Sequence, residues 1–450
     1  MSKQRRVFDS ALRALTSALL LLSAPVDFAR ASAQPRPGRA PRAYRLSAAD
    51  DALLEDLSRR AFQYFLDHAD PQTGLVLDRA RASGEAHPAG HPSFRGASSA
   101  ATGFGLTALC VGAARGWVSR REAARRALVA LRFLADRAPR ERGWFLHWMD
   151  ARTGERRWRS EYSSIDTALL LGGVLTARRC FGGEPEVARL ATRIYEWVDF
   201  PWMLTGGEMF SHGWRTETGF IPHYWDTYSE HLILQLLAVG SPTHAVGPGV
   251  WRAWARKRMT YAGHTYLGDA PLFTHQFSHA WVDFRGWREG WYPFTDYFEN
   301  SAEATRAHRR FCLDLAGEFP GYTEDVWGVT ASDSARGYVA WGGPPRHPDI
   351  DGTVVPCAAA GSLMFAPDIT VRALRAMKET YGARVYGRYG FTDAFNPNND
   401  WTNPDVIGID LGITLLSAEN LRSGRVWKWF MSNEEIPRAM KAVGLRRARR

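Results

Sequence analysis

The sequence predicts an all-α fold whose helices form two concentric layers, as in an α/α barrel. Helical periodicity dominates the chain, and helical segments that are apolar on all sides alternate with amphipathic ones. A helix that is apolar all round is buried, whereas an amphipathic helix covers a core with one face. Period-two alternation is weak and no strand–helix–strand rhythm is present, so a parallel sheet is not expected.

The predicted helices follow in chain order. Residues 48–67 begin after Ser47, a typical N-cap residue, and place Leu53, Leu57 and Phe65 on one face. The predicted inner helices are 103–114, 164–177 and 230–239, the predicted outer helices are 121–136 and 185–198, and 299–315, 369–381 and 413–421 continue the series. The segments between them are long and rich in Trp, Gly, Asp and His, as is typical of loops that carry sites.

The chain divides into a leader, a linker and one domain. Residues 1–33 predict a signal peptide, because a basic start precedes a short apolar stretch and ASA at 31–33 fits the cleavage pattern. An uncleaved membrane anchor is the alternative. Residues 34–43 are predicted to be a linker and 44–450 a single domain, so we expect a periplasmic or secreted protein without stable membrane insertion after cleavage.

Composition excludes several classes of function. The net charge is +10, but no basic-aromatic module is present, so nucleic-acid binding is not expected. The four cysteines lack metal-ligand spacing, and nucleophile-elbow, P-loop and dinucleotide-binding patterns are absent. We therefore expect no cofactor and no metal. We also expect a monomer. The 18 tryptophans suit a large core or a cleft in which sugar rings pack on flat aromatic faces.

Glu230 is the first candidate for catalysis. It follows Trp225 and Tyr228 in the segment YWDTYSE (224–230) and opens an otherwise apolar helix. Loss of hydration there should raise its pKa, as a general acid requires. Helix capping by Asp226, with Glu230 as a first-turn carboxylate, is the alternative.

Further carboxylates stand at the ends of apolar segments. Glu161 and Asp166 precede one apolar helix, and Asp393 and Asp410 lie beside glycine and aromatic residues rather than in charged runs. Capping is the alternative for Asp166 and for Asp410, the latter before a helix that starts near residue 413.

The segment FTHQFSHAWVDFR (273–285) is dense in polar and aromatic groups. His275 is four residues before His279, but HExxH is absent, so metal binding is disfavoured. Recognition of sugar hydroxyls by the candidate substrate-binding residues His275, Gln276, Asp283 and Arg285 is the favoured interpretation.

The motifs carry a resemblance that covers about residues 53–445. They are TGLVLDR (73–79), ATGFGL (101–106), IDTAL (165–169), GSPTH (240–244), HQ (275–276), DFRG (283–286), FENS (298–301), DGT (351–353) and GFTDAFN (390–396). In these the chain resembles the bacterial glucoamylase-like family, which includes the endo-β-1,2-glucanases of glycoside hydrolase family 144, and it is similar to the related families 162 and 189.

The resemblance implies an (α/α)6 barrel of six helical hairpins that hydrolyses β-1,2-glucan with inversion at the anomeric carbon. It implies that Glu230 is the general acid and that Asp410, or in second place Asp393, is the general base. Asp166 would be a cleft carboxylate that places sugar or water. Glu161, Trp225 and Tyr228 complete the candidate substrate-binding residues.

The chain departs from the family pattern beside two proposed catalytic residues. Asp410 is followed by Leu-Gly-Ile where the family usually has Gln-Gly-Pro, and Ser229 stands where the family often has Asn. Endo against exo cleavage, the exact linkage, and hydrolysis against transglycosylation therefore stay open, as does a non-catalytic glucan-binding protein.

Overall fold

The computed structural model describes residues 44–85, 87–268 and 271–448. The predicted signal peptide and linker lie outside these residues. The helices are α1 (Ala48–Asp67), α2 (Ser99–Arg115), α3 (Arg120–Asp136), α4 (Ser164–Cys180), α5 (Pro185–Glu196), α6 (Leu232–Gly240), α7 (Val250–Ala253), α8 (Phe277–Trp281), α9 (Tyr297–Asp314), α10 (Pro356–Ala360), α11 (Pro367–Tyr381), α12 (Gly408–Ser423), α13 (Arg425–Met431) and α14 (Glu435–Ala442). Within the described residues, none of them combines the length and apolar character that crossing a bilayer requires.

The helices form the two predicted layers of an (α/α)6 barrel. The inner helices α2, α4, α6, α8, α10 and α12 are almost entirely buried, whereas α1, α3, α5, α9 and α11 expose one face. Neighbouring inner helices pack against each other around the axis, and α12 closes the ring against α2. The prediction from alternating apolar and amphipathic segments is confirmed.

Close approach of α2 and α4 depends on glycine. A Cβ atom on Gly173 would lie 2.0 Å from the carbonyl oxygen of Gly103, and one on Gly103 would lie 2.3 Å from the carbonyl oxygen of Leu169. No side chain fits between these backbones. The small residues of the two apolar segments therefore allow the tightest contact in the inner ring.

The strands are short and lie in the loops. They are β1 (Arg79–Arg81), β2 (Gly96–Ser98), β3 (Arg140–Glu141), β4 (Trp144–Phe145), β5 (Trp148–Asp150), β6 (Tyr162–Ser163), β7 (Gly213–Arg215), β8 (Gly219–Phe220), β9 (Arg258–Tyr261), β10 (His264–Leu267), β11 (Trp287–Glu289), β12 (Tyr386–Gly387), β13 (Gly390–Phe391), β14 (Phe395–Asn396), β15 (Trp401–Thr402), β16 (Asp405–Ile407) and β17 (Leu445–Arg447). Their pairings are antiparallel, as in β1 with β16, β2 with β5 and β6 with β7. Strands β2, β6 and β16 lead directly into α2, α4 and α12, so they brace the N-terminal ends of these inner helices.

Two helix boundaries differ from the prediction in ways that matter for the site. Helix α6 begins at Leu232, so Glu230 lies in the turn before it. Helix α12 begins at Gly408 rather than near residue 413, because β16 delivers the chain to the barrel earlier than the apolar pattern indicates. Asp410 therefore lies in the first helical turn. The N-cap of α1 is as predicted, since Ser47 Oγ accepts a hydrogen bond from the Asp50 N–H at 3.1 Å.

Candidate active site

Three buried carboxylates lie at the N-terminal ends of inner helices. Asp166 is in the first turn of α4, Glu230 precedes α6, and Asp410 is in the first turn of α12. All three are less than 10% exposed. The charge of Asp166 acts on Glu230, and both Asp166 and Asp410 feel the charge of Asp78. The inner helices thus bring these carboxylates to one end of the barrel.

Glu230 lies in a desolvated pocket. Ser229 Oγ donates to Glu230 Oε2, and Ser278 Oγ donates to the Glu230 carbonyl oxygen at 2.5 Å. Burial raises the pKa of Glu230 to about 7, against the opposing hydrogen bond from Ser229. The predicted rise is confirmed, and the capping alternative is wrong, because Asp226 is exposed and α6 has no side-chain cap. Glu230 can hold a proton near neutral pH and deliver it.

Asp393 and Asp410 form a buried pair. Asp393 Oδ2 accepts hydrogen bonds from the Asp333 N–H at 3.0 Å and from Asn403 Nδ2 at 2.7 Å. Burial raises the pKa of Asp393 well above its usual range, and the charge of Asp410 adds to the rise. Burial also raises the pKa of Asp410, to about 6, while hydrogen bonds from Asp393 and Cys357 oppose the rise. One proton held by Asp393 and donated to an ionised Asp410 satisfies both groups.

The backbone explains why these distant residues meet. Strand β1 pairs with β16 directly before α12, and the Gly408 N–H donates to the Asp78 carbonyl oxygen at 2.7 Å. The Asp393 N–H donates to the Asp405 carbonyl oxygen at 3.1 Å. Asp78, Asp393 and Asp410 are therefore tied to one another through main-chain hydrogen bonds. Since Asp410 accepts no backbone N–H, the capping alternative for this residue is not supported either.

The second group of carboxylates surrounds His147. His147 Nδ1 lies 2.9 Å from Glu161 Oε1, and His147 Nε2 lies 3.5 Å from Asp166 Oδ1. Burial opposes protonation of His147, but the charges of Asp166 and Glu161 outweigh it and raise its pKa to about 9. Asp166 also takes part in the cap of α4, because Ser163 Oγ donates to Asp166 Oδ2 at 2.6 Å and accepts from its N–H. Asp166 can therefore contribute to the N-terminal cap of α4 and still lie beside His147.

The same three residues offer the geometry of a metal site. One ligand atom from each of His147, Glu161 and Asp166 lies within 4.8 Å of the others. A histidine that binds a metal must be neutral, whereas the raised pKa of His147 favours the imidazolium ion. Without a metal the three residues therefore form an ion-paired cluster, and a metal ion would have to displace the proton from His147 to bind there.

Three further residues of this site, Asp78, Arg79 and Tyr338, were not predicted from the sequence. Asp78 accepts a hydrogen bond from Trp148 Nε1 at 3.4 Å, and its charge acts both on Asp166 of the His147 group and on Asp410. Arg79 forms an ion pair with Asp333 at 2.6 Å. Burial together with the charges of Asp410 and Asp393 raises the pKa of the Tyr338 hydroxyl, although the ring is 49% exposed. Asp78 and Arg79 belong to the TGLVLDR motif, which was the only available signal.

Four of the predicted substrate-binding residues are buried in the wall of the barrel, namely Trp225, Tyr228, His275 and Gln276. Trp225 is 9% exposed, stacks on His212 at 4.1 Å and donates to Ser164 Oγ at 2.9 Å. Tyr228 packs on His275 at a centroid distance of 4.8 Å, and burial lowers the pKa of His275 to about 3.

Gln276 is fully buried and donates to the Ala358 carbonyl oxygen at 2.9 Å and to Ser362 Oγ at 2.8 Å. These bonds tie the start of α8 to α10. Together with the packing of Tyr228 and His275, they support the inner ring. Gln276 Oε1 and His275 Nδ1 have no hydrogen-bond partner among the described residues, and the binding of substrate by these residues stays a prediction.

Asp283 and Arg285 are not brought to the cleft. Asp283 Oδ1 pairs with Arg285 Nε at 2.8 Å, and the Arg285 guanidinium lies 4.0 Å from the Trp427 ring centroid. It also lies beside Gly424, at the C-terminal end of α12. Asp410 occupies the N-terminal turn of that helix, about 20 Å away at 1.5 Å per residue. These two residues therefore lie far from Asp410, and their contact with substrate stays a prediction.

Comparisons with known proteins agree on the architecture. Residues 222–434 match the sequence profile of a family described as "Putative glucoamylase". A Bacteroides fragilis structure described in the same words has 32% identity and a TM-score of 0.80, over 92% of this chain and 100% of that one. An endo-β-1,2-glucanase from Chitinophaga pinensis, in complex with sophorotriose and glucose, has 29% identity and a TM-score of 0.82, over 89% of this chain and 99% of that one.

A characterised relative is longer than this chain. The exo-β-1,2-glucooligosaccharide sophorohydrolase of Parabacteroides distasonis is 27% identical over 433 residues, which cover 88% of this chain. The match spans 58% of the length of that protein.

Proposed function

The chain belongs to the glucoamylase-like family, and from that premise we propose that it is a glycoside hydrolase acting on β-1,2-glucan. The observation that carries the proposal is the placement of two buried carboxyl groups, Glu230 and Asp410, at one end of the barrel. Glu230 has a pKa of about 7 with a single side-chain donor, whereas Asp410 receives hydrogen bonds from Asp393 and Cys357 that hold its pKa to about 6. Two buried carboxyl groups whose pKa values are both raised toward neutral pH can serve as a general acid and a general base.

The relatives support the choice of substrate. Two proteins that match most of this chain are named for cleavage of β-1,2-linked glucans, one as an endo-glucanase and one as an exo-acting sophorohydrolase. Their names differ in cleavage mode, so the product pattern of this chain is the quantity to measure. The extra length of the sophorohydrolase gives no guide to it.

The chemistry follows from the charge states. Glu230 protonates the glycosidic oxygen of the leaving sugar, and Asp410 takes a proton from the attacking water. Asp393 holds Asp410 in its ionised form through the proton that the pair shares. The His147–Glu161–Asp166 group and Asp78 place sugar hydroxyls between the acid and the base.

We propose inversion at the anomeric carbon. Glu230 feels the charge of Asp166, whereas Asp410 feels the charges of Asp78 and Arg79. Glu230 and Asp410 thus have different charged neighbours. In a retaining enzyme the two carboxyl groups are only about 5–5.5 Å apart and would act on each other, so this arrangement favours an inverting enzyme. The ¹H NMR signal of the first product formed distinguishes the two, since inversion releases the α-anomer.

A glucan panel tests the function. The purified chain is incubated with linear β-1,2-, β-1,3-, β-1,4- and α-1,4-glucans, and the products are separated by chain length. We expect short oligosaccharides from β-1,2-glucan alone. Release from another glucan and none from β-1,2-glucan would overturn the choice of substrate, and longer products than the substrate would identify a transglycosylase.

A further inference from the structure

The loop between β5 and β6 has a strained backbone at its tip. Trp158 and Arg159 are consecutive non-glycine residues with φ of 50° and 56°. This left-handed region is unfavourable for residues with a Cβ atom, and such strain persists where the surrounding structure imposes it. Trp158 is also among the few large aromatic side chains of the described residues that are more than a third exposed, at 37%.

Arg156 imposes the conformation. Its guanidinium donates two hydrogen bonds to Glu217, at 2.6 and 3.0 Å. It also donates to the carbonyl oxygens of Ser160 at 2.5 Å and of Arg159 at 2.9 Å. A bidentate ion pair thus fixes the two carbonyl groups that follow Trp158, so the tip is held in place.

The indole of Trp158 lies beside the cleft. Its ring packs edge-on against Trp148 at a centroid distance of 5.6 Å, and Trp148 in turn stacks on His147 at 3.4 Å. Trp148 also donates to Asp78, which joins the two groups of carboxylates. A continuous aromatic surface therefore leads from the exposed indole to the centre of the site.

Gly96 provides the seat for the indole. A Cβ atom on Gly96 would lie 2.4 Å from Trp158 Cη2, so only a glycine leaves room for the ring. Gly96 is buried in β2, whose pairing with β5 fixes its position. The backbone, the ion pair and the seat together hold one partly exposed aromatic ring at a single place on the rim.

We propose that Trp158 forms a glucosyl-binding subsite, in which one sugar ring of the substrate packs its C–H face on the indole. The inference rests on the proposed function and extends it, because it assigns a binding residue outside the carboxylate groups. Flat aromatic rings bind pyranose rings in this way because the C–H face is apolar, while the sugar hydroxyls stay at the rim. The neighbouring Arg157 guanidinium lies over one face of the indole, 5.1 Å from the ring centroid, and pairs with Asp150 at 3.6 Å, so the sugar packs on the opposite face.

Binding is measured by calorimetry with β-1,2-gluco-oligosaccharides in a Glu230→Gln background, where the ligand is not consumed. We expect Trp158→Ala to raise Kd roughly tenfold and Trp158→Phe to raise it less, because phenylalanine keeps part of the flat surface. In the otherwise unchanged enzyme, Trp158→Ala should raise KM by a similar factor while kcat changes by less than about twofold, since a rim residue binds substrate and transition state alike.

Two further variants test whether the effect is specific to the position of the Trp158 indole. Tyr292→Ala removes an aromatic side chain that is 75% exposed in the loop packed on β17, and it should leave Kd and KM unchanged. Gly96→Ala keeps the indole but displaces it, so it should weaken binding as Trp158→Ala does. Thermal unfolding of each variant is measured to check that its fold is intact.

The possible outcomes distinguish a failure of the proposed subsite from a failure of the proposed function. Unchanged Kd and KM in Trp158→Ala, with a wild-type enzyme that cleaves β-1,2-glucan, would overturn the subsite and leave the proposed function standing. A wild-type chain that neither binds nor cleaves β-1,2-glucan would overturn both. A fall in kcat with unchanged KM would also contradict the subsite, because it would place Trp158 in the chemical step.

Discussion

The carboxyl groups of Asp393 and Asp410 share one buried site, and the charge of Asp410 raises the pKa of Asp393. The two residues are nevertheless held differently. Asp393 Oδ2 is fixed by hydrogen bonds from the Asp333 main chain and the Asn403 side chain, whereas neither bond has a counterpart at Asp410; Asp393 Oδ1 and Asp410 Oδ2 both lack a hydrogen-bond partner among the described residues. In the proposed mechanism the less anchored Asp410 acts on water and the anchored Asp393 positions it.

The asymmetry predicts unequal effects of two amide substitutions. Asp410→Asn removes the base and should lower kcat roughly 10²–10⁴-fold. Asp393→Asn leaves a neutral side chain that can still donate to Asp410, as the protonated carboxyl does, so it should retain clearly more activity. Steady-state kinetics on β-1,2-glucan measures both, and equal losses would contradict the assignment of roles.

The pH profile should be a narrow bell. Asp410 must be ionised to accept a proton and has a pKa of about 6, so activity falls as the pH drops below 6. Glu230 must be protonated to donate and has a pKa of about 7, so activity falls as the pH rises above 7. The dependence of kcat/KM on pH reports these values for the free enzyme.

A substitution at Ser229 should shift only the alkaline limb of the pH–activity profile. Its hydroxyl donates to the Glu230 carboxyl and lowers the pKa of that group. Ser229→Ala should therefore shift the alkaline limb to higher pH and leave the acidic limb in place. A shift of the acidic limb instead would show that Glu230 is the base.

His147 should make stability depend on pH. Its pKa is raised from 6.5 to about 9 in the folded protein, because the charges of Asp166 and Glu161 outweigh burial. The stabilisation is complete below pH 6.5 and is lost as the pH rises through 9. We expect His147→Gln to be less stable than wild type by about 2 kcal/mol at pH 6, with a smaller difference at pH 9. Urea unfolding at the two pH values measures it, and a difference that grows with pH would be contrary to the ion-pair assignment.

The glycine contact between α2 and α4 should be indispensable for packing. Gly173→Ala places a methyl group 2.0 Å from the carbonyl oxygen of Gly103, and we expect a loss of about 3 kcal/mol or more in the free energy of unfolding. Gly183→Ala, where no atom lies within 4 Å of the added Cβ, is the matched control. Similar denaturation midpoints for the two variants would show that the helices can move apart.

The layered fold was predictable because it depends on local patterns. The all-apolar segment at 164–177 identifies an inner helix, and the amphipathic segment at 121–136 identifies an outer one, before any contact is known. The raised pKa of Glu230 also followed from the apolar residues beside it.

The rest of the site depends on contacts between residues far apart in sequence. Asp78 and Asp410 meet only because β1 pairs with β16, and His147 meets Asp166 through loop geometry that no periodicity encodes. The position of Arg285 beside Gly424, at the C-terminal end of α12, also depends on such contacts. A polar, aromatic segment resembles a binding loop in sequence even when it lies at the far end of the barrel.

The most direct test of the account compares wild type with Glu230→Gln on linear β-1,2-glucan near pH 6.5, with products separated by chain length. Wild type should release short β-1,2-linked oligosaccharides, and Glu230→Gln should do so roughly 10²–10⁴-fold more slowly while still binding the glucan. Turnover by Glu230→Gln at the wild-type rate would contradict the central claim that this buried glutamate supplies the proton.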